Sequence, residues 1–64
     1  VMEKGIDEIL KKLGNECTEI ILAAKNPDSD DLKFEISDFM YHCMILMAQK
    51  NITWAEIAGE LAQR

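Results

Sequence analysis

Two acidic pairs stand one helical turn apart within apolar runs: Glu16 and Glu19 in GNECTEIILAAKN, then Glu35 and Asp38 in FEISDFMYHCMILM. Residues three apart share a helix face, so each pair aims both carboxylates the same way. Four carboxylates converging from two helices make a site for a hard divalent cation. All-oxygen ligands suit Mg²⁺ or Mn²⁺. A di-iron bundle would instead carry E-x-x-H, and the residue three after Glu35 is Asp38. His42, one turn beyond Asp38, is placed to hydrogen-bond a ligand carboxylate or a phosphate, or to act as a structural histidine near the core. Lys12 and Lys25 have two readings: contacts to phosphate oxygens of a metal-held substrate, or a surface ion pair and a helix-dipole contact worth well under ~1 kcal/mol each.

The elements that must position these groups are helical. Ile6, Ile9, Leu10, Leu13, Cys17, Ile20, Ile21 and Ala24 recur at three and four, which predicts a helix from near Asp7 to about Ala24. Asn26-Pro27-Asp28-Ser29 then breaks it, because proline cannot continue a helix and short polar residues favour turns; Asp28 or Ser29 can cap the next helix. That second helix is expected over about Asp30 to Lys50, with Leu32, Ile36, Phe39, Met40, Cys43, Leu46 and Met47 on its main apolar face. Phe34, Tyr41 and Ile45 lie roughly opposite, so this helix is to be covered from two directions, and a second subunit would supply the further cover. Asn51 ends it. Thr53-x-x-Glu56 has the form of a capping box opening a third helix to about Arg64, with Trp54, Ile57 and Leu61 as its stripe. Gly59 weakens that helix by about 1 kcal/mol relative to alanine.

A short loop makes the first two helices antiparallel neighbours, and the two acidic pairs stand at similar distances from it, so they should face each other at one height. Glu16 and Glu19 are expected to flank the first apolar stripe, while Asp31, Glu35, Asp38 and His42 form a polar line bounded by apolar residues. A carboxylate at the edge of a core is costly unless paired or bound to a cation, so such a line points to ligation; the bland alternative is a row of solvated boundary residues.

Sixty-four residues make one domain, spanning 1–64. A chain so short buries only about 60% of its unfolded surface and needs a disulfide, a metal or a partner subunit. A hydrophobic content of 48% favours a folded protein. Two cysteines cannot build a disulfide framework, and Cys17 and Cys43 are expected to be small buried hydrophobes. The net charge of −5 argues against nucleic acid as a passive electrostatic partner, with Lys11, Lys12 and Lys25 as the exceptions. With no apolar run near the ~20 residues of a membrane span and no signal peptide in view, the chain is expected to be cytoplasmic, without membrane contact.

Taken together, KKLGNECTEIILAAKN and FEISDFMYHCMILMAQKNITWAEIAGELAQR resemble the phosphoribosyl-ATP pyrophosphatases, the histidine-biosynthesis branch of the all-α, MazG-like nucleotide pyrophosphohydrolases. Glu16, Glu19, Glu35 and Asp38 fill that superfamily's E-x-x-E and E-x-x-D places. The resemblance implies an antiparallel helical hairpin with a short third helix, dimerising into a MazG-like bundle. It further implies Mg²⁺ at the four carboxylates and hydrolysis of phosphoribosyl-ATP to phosphoribosyl-AMP and pyrophosphate. A carboxylate not fully used in ligation, Glu19 or Glu35, would accept the proton of the attacking water. Asn15 stands where the family usually has a glutamate, which bears on metal affinity or on a second metal. The family also carries a short segment ahead of the position of Val1. Two other readings remain open: a house-cleaning nucleoside triphosphate pyrophosphohydrolase on the same scaffold, and a non-catalytic helical dimerisation module whose acids only solubilise it.

Overall fold

The computed structural model describes residues 2–64, with side-chain surroundings from Gly5 onward. Helix α1 runs Met2–Ala24, α2 Asp30–Gln49 and α3 Trp54–Ala62, and no strand occurs among the described residues. The fold is all-α. Helix α1 starts five residues before the predicted boundary, because the apolar stripe that marked its onset begins only at Ile6 and polar helix formers precede it.

Local chemistry sets the helix ends. After α1, the amides of Lys25 and Asn26 donate back to Leu22 and Ala23 at 3.3 and 3.1 Å in a tightened last turn, and Pro27 comes next. Asp28, rather than Ser29, caps α2 with its side chain: its Oδ1 accepts from the Asp30 amide at 3.1 Å. Helix α2 closes in a Schellman motif. Asn51 takes the left-handed conformation at φ 58°, its amide donates to Ala48, and the Ile52 amide reaches the Met47 carbonyl at 2.9 Å. The Thr53 capping box is complete, with the Glu56 amide on Thr53 Oγ1 at 3.2 Å and the Thr53 amide on Glu56 Oε1 at 2.8 Å.

Helices α1 and α2 pack as a hairpin, and among the described residues α3 makes no close packing with either beyond its junction. On α1 the partly covered positions are Ile6, Ile9, Leu13, Ile20 and Ala23, spaced alternately by three and four, and Glu16 fills the gap in that seam. Glu16 therefore lies inside the packed stripe instead of flanking it. Leu10, Ile21 and Cys17, expected on the same stripe, are exposed, so Cys17 is not a buried hydrophobe in the single chain. Cys43 is half-buried, and its thiol is pushed up from its ordinary pKa by burial first, then by Cys17 and Glu16. That keeps it protonated and inert.

Extents of 38 × 33 × 15 Å describe a slab about one helix thick. A single layer cannot enclose a core, and no hydrophobic residue among those described is fully buried. Phe34 and Tyr41 of α2, Ile21 and Leu22 of α1 and Trp54 of α3 are each more than half exposed. No helix among the described residues is long and apolar enough to cross a membrane.

Candidate metal centre

In an antiparallel hairpin, positions equally far from the turn face each other. Glu16 accordingly meets Asp38, and Glu19 meets Glu35 one turn nearer the loop. At the inner level, ligand atoms of Glu16, Asp38 and His42 all lie within 4.8 Å of one another. Glu16 is 7% exposed and is the one buried charged residue among those described. Its Oε2 lies 2.8 Å from His42 Nδ1, an ion pair when the ring is protonated. Its Oε1 is buried with no hydrogen-bond partner. The Asp38 Oδ1 is 3.9 Å from His42 Nδ1, and the same ring nitrogen lies 3.0 Å from the Asp38 backbone carbonyl one turn back. The Tyr41 ring stands edge-on to the imidazole, with centroids 5.2 Å apart.

Electrostatically, this level is short of positive charge. Burial, followed by the neighbouring Asp38 carboxylate, raises the Glu16 pKa, against the opposing pull of His42 and Lys12. An unpartnered buried polar atom costs roughly 1–3 kcal/mol, more when charged, and a second carboxylate beside it adds repulsion. A divalent cation relieves both penalties at once. The donor set, two carboxylates with the next pair a turn away, suits a hard, oxygen-loving ion. The residues present therefore fit Mg²⁺ or Mn²⁺.

At the outer level, Glu19 and Glu35 line an open cleft of about 220 Å³ together with Leu22, Ala23, Asn26 and Asp31. Glu35 is half-buried and Glu19 exposed, so both meet solvent where a substrate would enter. Asn26 Nδ2 donates to Asp31 Oδ2 at 3.4 Å across the loop. Asn26 was not legible as a cleft residue from acidic spacing. Its signal is the helical repeat itself, since it falls two turns after Glu19 on the same side. Lys12 acts on the Glu16 carboxylate from one turn away. Lys25 is exposed just past the end of α1 and makes none of the contacts described at the acids.

The family described as Phosphoribosyl-ATP pyrophosphohydrolase matches residues 2–64. Over all 64 residues the chain is 50% identical to a phosphoribosyl-ATP pyrophosphatase of Bacillus cereus, of which it covers 60%. It is also 50% identical to a histidine biosynthesis bifunctional protein HisIE of Caldanaerobacter subterraneus subsp. tengcongensis, covering 31% of it. A phosphoribosyl-ATP pyrophosphatase of Bacillus thuringiensis is 48% identical, again with 60% covered. The chain thus spans about three fifths or less of the length of these curated relatives. No solved structure matches it.

Proposed function

Because the chain belongs to the phosphoribosyl-ATP pyrophosphohydrolase family, we propose that it hydrolyses phosphoribosyl-ATP to phosphoribosyl-AMP and pyrophosphate, a step of histidine biosynthesis, using a divalent cation held by its paired carboxylates. The observation that carries this reading is the buried, unpartnered Glu16 Oε1 beside Asp38, a strongly electronegative spot opening toward a second acidic pair.

Glu16, Asp38, Glu19 and Glu35 would hold Mg²⁺, with Mn²⁺ as a substitute. The bound ion supplies charge neutralisation at phosphate oxygens and a lowered pKa for the attacking water. The residues of the chain do the rest. Glu16 and Asp38, on the inner level, serve as ligands. Glu19 or Glu35, in the open cleft, accepts the proton of the water that attacks at phosphorus. Lys12 offsets acidic charge at the inner level. The cleft at Asn26 and Asp31 has room for the polyphosphate end of a nucleotide.

The acting species is proposed to be a homodimer. A compact globule of this mass exposes about 4,200 Å². The chain exposes 5274 Å². The excess of roughly 1,000 Å² is of the order that each partner buries in a stable dimer. The apolar cleft of about 370 Å³ between the end of α2 and α3, lined by Met40, Leu46, Met47, Ile52, Trp54 and Ile57, belongs to the surface a second copy would cover.

Substrate choice is tested by comparing turnover of phosphoribosyl-ATP with that of the ordinary nucleoside triphosphates. A kcat/KM at least about 100-fold higher for phosphoribosyl-ATP is expected. A preference for the ordinary triphosphates would make this chain a house-cleaning hydrolase on the same scaffold.

A further inference from the structure

The outer cleft sets a problem for any phosphate that enters it. Of the side chains lining its space of about 220 Å³, Glu19, Asp31 and Glu35 are carboxylates, and Leu22 and Ala23 are apolar. Carboxylates meet a phosphate oxygen favourably only through a cation, and each one left over repels it. Asn26 is the one side chain of this lining that can donate a hydrogen bond. Its neighbours fix where that donor stands. The Asn26 backbone amide donates to the Ala23 carbonyl at 3.1 Å, and Pro27 narrows the conformations open to the residue before it. The side-chain Nδ2 donates to Asp31 Oδ2 at 3.4 Å. An ionised carboxylate only accepts, so Asp31 selects the nitrogen of the Asn26 amide over its oxygen; Nδ2 carries two N–H groups, and the one not given to Asp31 remains for a ligand.

We propose that Asn26 is a substrate-binding residue of the outer cleft, its remaining Nδ2–H donating to a nonbridging oxygen of the polyphosphate, and that Asp31 is a positioning residue that keeps the amide nitrogen, not the oxygen, available there. This rests on the hydrolytic reading of the hairpin and deepens it by dividing the work of phosphate recognition. The paired carboxylates reach phosphate through the cation. Asn26 reaches it directly, at a place where each of the other polar side chains of the lining is an acid. A hydrogen bond to a charged oxygen is lost at a cost of about 10-fold or more in affinity.

Inorganic pyrophosphate is the probe, because it carries the phosphate oxygens and requires no turnover. Its binding at saturating Mg²⁺ is measured by calorimetry for the native chain, for Asn26→Ala, for Asp31→Ala and for the double variant. Mn²⁺ affinity without pyrophosphate and helicity by circular dichroism are read on each, and phosphoribosyl-ATP turnover on the native chain. Asn26→Ala should bind pyrophosphate about 10-fold more weakly at native helicity, with Mn²⁺ affinity unchanged. Asp31→Ala removes a negative charge, which by repulsion alone would tighten pyrophosphate. Weaker binding is expected instead when Asn26 is present, and tighter binding when it is alanine, because only the repulsion is then left to remove. Native affinity for pyrophosphate in Asn26→Ala, or a matching loss of Mn²⁺ affinity, overturns the direct contact. Tighter binding in Asp31→Ala alone overturns the positioning role. A native chain that binds no pyrophosphate overturns both, whatever its turnover, whereas one that binds it through Asn26 without hydrolysing phosphoribosyl-ATP overturns the hydrolytic reading and leaves the contact standing.

Discussion

Glu16 occupies a place in the α1 seam where an apolar residue would pack at no electrostatic cost. Burial and the Asp38 carboxylate raise its pKa, so in the metal-free protein the folded state holds the Glu16 proton more tightly than the unfolded chain does. The stabilisation from that proton is complete below the ordinary glutamate pKa and is lost as pH rises through the folded value. Metal-free Glu16→Gln should escape this loss. In chelator at neutral pH its unfolding free energy from urea titration is expected to equal or exceed the native one by up to about 1 kcal/mol, with the difference vanishing at acid pH. The same variant should lose most pyrophosphate release. It should also lose the stabilisation by Mg²⁺ that the native chain gains, which is about 2.7 kcal/mol at a hundred times Kd. A variant both less stable without metal and still stabilised by it would show that Glu16 is a structural acid. The two facing pairs could be anticipated from their equal distance to the loop at Pro27. The close approach of His42 to Glu16 could not, because it depends on helix rotation and on which oxygen faces the ring.

At the scale of elements, the ends of the helices were more legible than their faces. Thr53-x-x-Glu56 forms the capping box its spacing predicts, and Asn51 ends α2 by adopting the left-handed conformation that asparagine tolerates. The packed face of α1 was displaced from expectation for a physical reason. Leu10, Cys17 and Ile21 are apolar but exposed, while Glu16 is charged and covered, so polarity contrast does not mark the seam. Hydrophobic periodicity reports that a helix will be covered, not which neighbour covers which side. Helix α3, which packs closely against neither other helix, should respond locally to its own sequence. Thr53→Ala removes the cap and should lower the protection of α3 amides against hydrogen exchange by about 1 kcal/mol. Gly59→Ala should raise it by a similar amount, since nothing lies within 4 Å of the added methyl. Equal and opposite shifts confined to α3 are expected; no change in either would mean that α3 is held by contacts with another copy rather than by its cap and propensity.

The molecule as a whole is one helix layer thick, and its sole buried charged residue among those described is an acid. A layer of this kind reaches a cooperative fold by acquiring a second layer. Light scattering should therefore return about twice the 7.3 kDa chain mass, and the melting temperature should rise with protein concentration. Phe34→Glu, on the exposed face of α2, should shift the population toward monomer and lower the melting temperature together. A monomer with a concentration-independent melt would contradict the dimer while leaving the acids of the hairpin in place. The second apolar side of α2 was legible in Phe34 and Tyr41 lying opposite the main stripe, whereas what would cover it was not, because that is a property of two surfaces. The central claim, that the carboxylates of α1 and α2 hold a divalent cation for pyrophosphate release, is met most directly by one titration: phosphoribosyl-ATP supplied to the chain while Mg²⁺ is raised from chelator-buffered zero, with pyrophosphate and orthophosphate measured separately. Stoichiometric pyrophosphate with phosphoribosyl-AMP, saturating in Mg²⁺ and absent in chelator, is the predicted result; release that is indifferent to Mg²⁺, or orthophosphate as the product, would contradict it.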